Sequence, residues 1–148
     1  MKKNILRIIL IILIIAWMCM VFGFSNAGGN ESTGISITIA RFLVKNEVYI
    51  EFAEKIIRKI AHLSEYAIGA VLVYSLMLTF KLDIKVQFLS SLFFIIVYAI
   101  TDEVHQLFIP GRSGNILDVW IDSLGALIGL CGLLFVMKLF RLIKCRVN

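Results

Sequence analysis

Four apolar runs, each of about bilayer-crossing length, limit what this chain can become: residues 5–24, 61–80, 86–104 and 116–138. Hydrocarbon holds no water to satisfy backbone N–H and C=O groups, so a segment in it must bond to itself as a helix or close into a barrel. A helix needs about 20 apolar residues to cross, and these runs lack the alternation of barrel strands. Hydrophobic residues make up 60% of the chain and charged ones 17%, with a single proline. Soluble domains carry about 25% charged residues, which excludes a soluble core. The fold class expected is all-α: an integral membrane bundle of four transmembrane helices with an external amphipathic interfacial segment, forming one domain over residues 1–148.

The formal net charge is +5. Its excess lies at the ends, in Lys2, Lys3 and Arg7, then Lys138, Arg141, Lys144 and Arg146, and in the middle loop at Lys81 and Lys85. That is the positive-inside pattern of a multi-pass cell-membrane protein with both termini cytoplasmic, not a nucleic-acid patch. Cys19 and Cys131 fall inside apolar runs and Cys145 in the basic tail, so no disulfide framework is expected.

The first run exceeds the 7–15 apolar residues usual in a cleaved signal peptide, which favours a retained helix, although Ser25-Asn26-Ala27 resembles a cleavage site. Residues 27–34 form a polar, glycine-containing break. Residues 35–45 then look amphipathic, with Ile35, Ile39, Phe42 and Leu43 on one side, and Asn46 interrupts them. Residues 47–60 form a clearer amphipathic helix, with Tyr49, Phe52, Ala53, Ile56 and Ile60 in period and with Glu51–Lys55 and Glu54–Arg58 pairs. It is expected to lie along the outer interface before the chain turns inward. A turn follows the third run at residues 109–115, marked by Pro110, Gly111 and Gly114. Gly125 and Gly129 in the fourth run form a GxxxG pair, which allows close backbone approach inside the bundle.

The polar residues gather at one end. Arg58, Lys59, His62 and Glu65 open the second span. Asp102, Glu103, His105 and Gln106 close the third, Arg112 lies in the loop, and Asp118 and Asp122 open the fourth. Arg58, His62, Glu65 and Gly69 share one helix face, as do Asp102 with Gln106, and Asp118 with Asp122, Gly125 and Gly129. Ionisable groups near hydrocarbon are costly and seldom occur without a task.

Three readings fit this constellation. In the first it is a structural network, with Arg112 tying the turn to Asp102 or Asp118. In the second it binds a polar or anionic headgroup: Arg58, Lys59 and Arg112 receive the anion, while His62, Glu65, Asp102, Glu103, Gln106, Asp118 and Asp122 shape the pocket. In the third it is catalytic, with His62 or His105 as base oriented by Glu65, Asp102 or Glu103. No serine nucleophile set stands beside the histidines, and no histidine–acid spacing is diagnostic of a metal, so neither metal nor cofactor is implied. A transporter is disfavoured, because the polar stripe does not cross the membrane.

The motifs resemble the VanZ-like family. They are Phe24-Ser25, Arg58-Lys59-x-x-His62-x-x-Glu65-Tyr66, Asp102-Glu103-x-His105-Gln106-x-Phe108-x-Pro110-Gly111-Arg112, and Asp118-x-x-x-Asp122-x-x-Gly125. The resemblance implies a several-span cell-envelope protein with outward polar motifs and an accessory role in antibiotic resistance, lowering susceptibility to the lipoglycopeptide teicoplanin. The partner expected is a membrane lipid, a lipid-linked cell-wall precursor or the lipoglycopeptide itself, without nucleic acid. Two departures stand out. Asn26-Ala27 replaces a further polar residue and glutamine, which argues against a role for Ser25. Asp122 stands where members often carry asparagine, which adds negative charge. A non-enzymatic binding protein is the leading expectation; a membrane hydrolase or transferase acting on a lipid-linked substrate is the alternative.

Overall fold

The computed structural model describes residues 2–26, 29–44, 46–110, 112 and 114–147. Its elements are α1 (Lys2–Asn26), α2 (Gly29–Leu43), a 3-10 turn at Glu47–Tyr49, α3 (Ile50–Met77), α4 (Ile84–Gln106) and α5 (Ile116–Val147). No strand occurs among the described residues. The helices α1, α3, α4 and α5 are each long and apolar enough to span a bilayer.

α3 is the hub and makes its most extensive contact with α5. Two glycines explain why. A β-carbon at Gly125 would collide with the Leu63 backbone carbonyl, and one at Gly129 with that of Ala67. The expected GxxxG pair therefore works inside the bundle, letting two backbones touch where side chains would hold them apart. On the other flank of α3, a β-carbon at Gly69 would run into the indole of Trp17. α1 buries Leu10, Ile14, Trp17, Val21 and Ser25, a stripe of three- and four-residue steps. The ring pairs Trp17–Tyr66 (5.9 Å), Trp17–Tyr98 (5.1 Å) and Tyr66–Tyr98 (6.3 Å) join α1, α3 and α4 at the centre. Each of these rings also directs a polar atom. The Trp17 indole N–H donates to the Glu65 carbonyl (2.9 Å), and the Tyr98 hydroxyl donates to the Met18 carbonyl (2.6 Å).

At one end of the bundle Arg7 locks α1 to the end of α3. Its guanidinium donates to Thr79 Oγ1 (2.9 Å) and to the Thr79 carbonyl (2.8 Å), and lies over the Phe80 ring. A cation there meets the partial negative charge of a helix C-terminus. Asp83 caps α4 by accepting from the Lys85 N–H (2.8 Å).

Several boundaries differ from expectation. Gly29–Gly34, expected as a break, is the first part of α2; Ala27 and Gly28 lie outside the described residues. The outward side of α2 is the apolar one: Phe42 is 88% exposed, while Ser36 and Ala40 face the protein. A helix in a membrane interface turns its apolar side to lipid, so this orientation suits that setting. Residues 50–60, expected as a separate interfacial helix, are the first three turns of α3. No glycine or proline interrupts the chain there, and the Glu54–Arg58 ion pair forms within it. α5 continues past residue 138 to Val147, because the basic tail holds no breaker and its cations suit a helix C-terminus.

Adding a methyl at Gly129 forces α3 and α5 apart. Gly129→Ala is expected to lose about 1–3 kcal/mol of stability. Gly132→Ala, where no atom lies within 4 Å of the added carbon, is expected to stay within about 0.5 kcal/mol. Thermal unfolding of both variants in the same detergent measures the difference.

Candidate functional site

The polar end is assembled from the C-terminus of α1, the N-terminal half of α3, the last turn of α4, the first turns of α5 and the loop residue Arg112. A cavity of about 220 Å³ opens there. Arg58, Lys59, His62, Glu103, Gln106, Arg112, Asp118 and Asp122 line it, with Lys55 and Ile121. A second cavity of about 220 Å³ shares Arg58, His62 and Arg112 and adds Glu65, Ser25, Ser36 and Phe24. The two are neighbouring chambers with common walls.

Helix packing sets the register. Gly125 touches the Leu63 backbone, and one turn away Asp122 faces His62, with Oδ1 3.6 Å from Nδ1. Asp122 is fully buried, and neither carboxylate oxygen has a hydrogen-bond partner among the described residues. Asp102 is the other deep acid. Its Oδ2 accepts from the Gln106 amide (3.1 Å) and, at a longer 3.4 Å, from the Tyr66 hydroxyl. The Gln106 amide also donates to Ser25 Oγ (3.2 Å), so a polar chain runs from α3 through α4 to α1. Glu103 joins α4 to α5, its Oε2 accepting the Asn115 N–H (2.8 Å). Asn115 in turn caps α5 by accepting from the Leu117 N–H (3.0 Å). Asp118, in the first turn of α5, lies where a helix dipole favours an acid.

Arg112 ties the loop back to α1 by donating to the Phe24 carbonyl (2.6 Å). Burial lowers the Arg112 pKa from its ordinary value and the Arg58 charge adds to this, while Asp102, Glu103 and Glu65 oppose it. An arginine remains a cation under such a shift.

The structure brings Arg58, Lys59, His62, Glu103, Gln106, Arg112, Asp118 and Asp122 around one cavity and puts Glu65 in its neighbour. Asp102 lies buried behind Gln106 and lines neither. His105 is not at either cavity. Its ring stacks on Phe22 (centroids 4.3 Å, planes 23° apart), on the flank of α4 that meets α1. That flank lies one three-residue step, about 60° round the helix, from Asp102. Ser25, which the departure from the family pattern argued against, is buried beside Gln106; its place at the end of the buried stripe of α1 was the available signal. Lys55 was missed too, although it precedes Lys59 by one turn and Arg58 by three residues. Among the described residues no three His, Cys, Asp or Glu side chains are grouped to hold a metal ion.

The family model that matches is described as VanZ/LLP1, over residues 10–140. No curated protein sequence and no solved structure matches the chain.

Among the described residues, Gln106 is the donor that Asp102 and Ser25 share. Gln106→Leu leaves those buried acceptors short of a partner and is expected to lower stability by about 1–3 kcal/mol. Ser25→Ala removes an acceptor while Gln106 keeps Asp102, and is expected to cost less. Thermal unfolding in detergent ranks the two.

Proposed function

The chain belongs to the VanZ/LLP1 family, and from that premise we propose that it is a cell-envelope protein receiving the anionic headgroup of a membrane lipid or lipid-linked cell-wall precursor at the outer leaflet. By holding that headgroup it lowers susceptibility to teicoplanin. One observation carries the reading: Lys55, Arg58, Lys59 and Arg112 surround a single open cavity at the end of the bundle away from the basic termini. Guanidinium groups grip phosphate or carboxylate in pairs of hydrogen bonds, and lysines add point charge. Glu103, Asp118 and Asp122 in the same wall accept from hydroxyl or amine groups of the head, which selects against a bare anion. The outward direction rests on the positive-inside pattern of the remaining loops.

His62 beside Asp122 favours a second reading. An imidazole that lines a cavity with a carboxylate 3.6 Å from its Nδ1 is a candidate general base. Under that reading the protein is a hydrolase or transferase, with His62 taking a proton from water or from a hydroxyl of a lipid-linked substrate.

Replacing Arg112 or Lys59 by alanine discriminates these readings from a purely structural role. Losing one charge-assisted contact of about 1.5–3 kcal/mol weakens anionic-lipid binding by roughly 10- to 100-fold. In a susceptible Gram-positive host with matched membrane levels, both variants are expected to lose teicoplanin tolerance. Unchanged binding and tolerance overturn the headgroup reading. His62→Gln that keeps binding but abolishes a lipid conversion detected by mass spectrometry establishes the enzymatic one.

A further inference from the structure

Glu103 belongs to two cavities. Besides the polar one, it lines an apolar groove of about 550 Å³ between α4 and α5, which runs from Ile96 past Glu103 to Leu107 and Ile116. That volume lies within the range of small-molecule sites, about 300–1,000 Å³. Ile96, Ile100, Val104, Val119 and Trp120 form its walls. From Glu103 down to Ile96 is seven helical residues, about 10 Å at 1.5 Å each, directed away from the polar end into the apolar part of both spans. Trp120, 71% exposed, stands at the side, the amphipathic ring expected where hydrocarbon meets headgroups. Glu103 itself is 5% exposed. Its Oε2 is used by Asn115, and its buried Oε1 has no hydrogen-bond partner among the described residues.

We propose that one lipid occupies both spaces: its anionic head sits in the polar cavity, a linker hydroxyl donates to Glu103, and a hydrocarbon chain lies in the α4–α5 groove. This rests on the headgroup reading and narrows it to a lipid with a hydroxylated polar linker, gripped by head and chain together. Glu103, a wall residue common to both spaces, selects this occupant. A protein helix in the groove would leave Glu103 Oε1 without a donor. A bulk lipid chain merely passing the surface would not depend on Arg112.

The test uses the full chain in nanodiscs of zwitterionic lipid. The probe is a 1-acyl-glycerol phosphate with a photoactivatable diazirine midway along its chain, and crosslinked residues are read by mass spectrometry. Labelling is expected at Ile96, Ile100 and Val119, and to fall at least tenfold in Arg112→Ala. Filling the groove by Ile100→Trp, or independently by Ser123→Leu, is expected to abolish it while binding of soluble glycerol phosphate persists. Each chain methylene added up to the groove's depth tightens binding by at most roughly fourfold, the factor equivalent to ~0.8 kcal/mol per buried CH₂. Arg112-dependent binding with labels spread evenly around the bundle overturns the groove and leaves the headgroup reading standing. Groove labelling indifferent to Arg112 overturns the joint occupancy, and with it the headgroup reading if glycerol phosphate also fails to bind. Binding of inorganic phosphate as tight as that of the acylated probe likewise rejects a role for the chain.

Discussion

The backbone contact between α3 and α5 sets the rest of the polar end. With glycine at positions 125 and 129, α5 lies directly on the backbone of Leu63 and Ala67. That closeness places Asp122 against His62 and brings Asp118 to the same cavity as Lys59. Without it, the acids of α5 would face lipid, where an ionised carboxylate is not sustained. The same economy of space recurs at Gly69, which admits Trp17 and so draws α1 into the assembly. Small residues at crossings let polar residues one turn away meet.

Around that contact the two ends of the bundle differ in chemistry. One end is closed by local caps: Arg7 on Thr79, Asp83 on its own helix, Gln87 donating to the Leu82 carbonyl. It carries the basic residues. The other end joins four helices through Gln106, Glu103 and Arg112, yet leaves carboxylate oxygens of Asp102, Glu103 and Asp122 without partners among the described residues. Buried polar groups are normally bonded, so such exceptions mark groups held for something else. Glu103, which holds one of these atoms, also lines the α4–α5 groove, so the polar cavity and the apolar recess have a wall residue in common.

Much of this was legible in the sequence because the bilayer simplifies the reading. Long apolar runs must be helices, and residues such as His62, Glu65, Asp118 and Asp122 at three- and four-residue steps must share faces. The GxxxG pair indicated close packing. What escaped was what depends on neighbours. The charged start of α3 looked like a separate surface helix, because hydropathy cannot distinguish a span protruding into the headgroups from a helix lying on them. His105 shares its segment with Asp102 and Gln106, and only the position of α1 shows that its ring stacks on Phe22 instead. Ser25 has no periodic polar partner in its own helix; Gln106, 81 residues away, gives it one.

The central claim is that polar groups from separate helices converge at one end. Crosslinking in native membranes tests it most directly, in a chain whose three cysteines are replaced by serine. Ser25→Cys paired with Gln106→Cys is expected to be bridged rapidly by a short bis-maleimide, and Ser25→Cys paired with Thr79→Cys is not. No bridge in the first pair, or an equal bridge in the second, would contradict the arrangement of α1 against α4 on which the site depends.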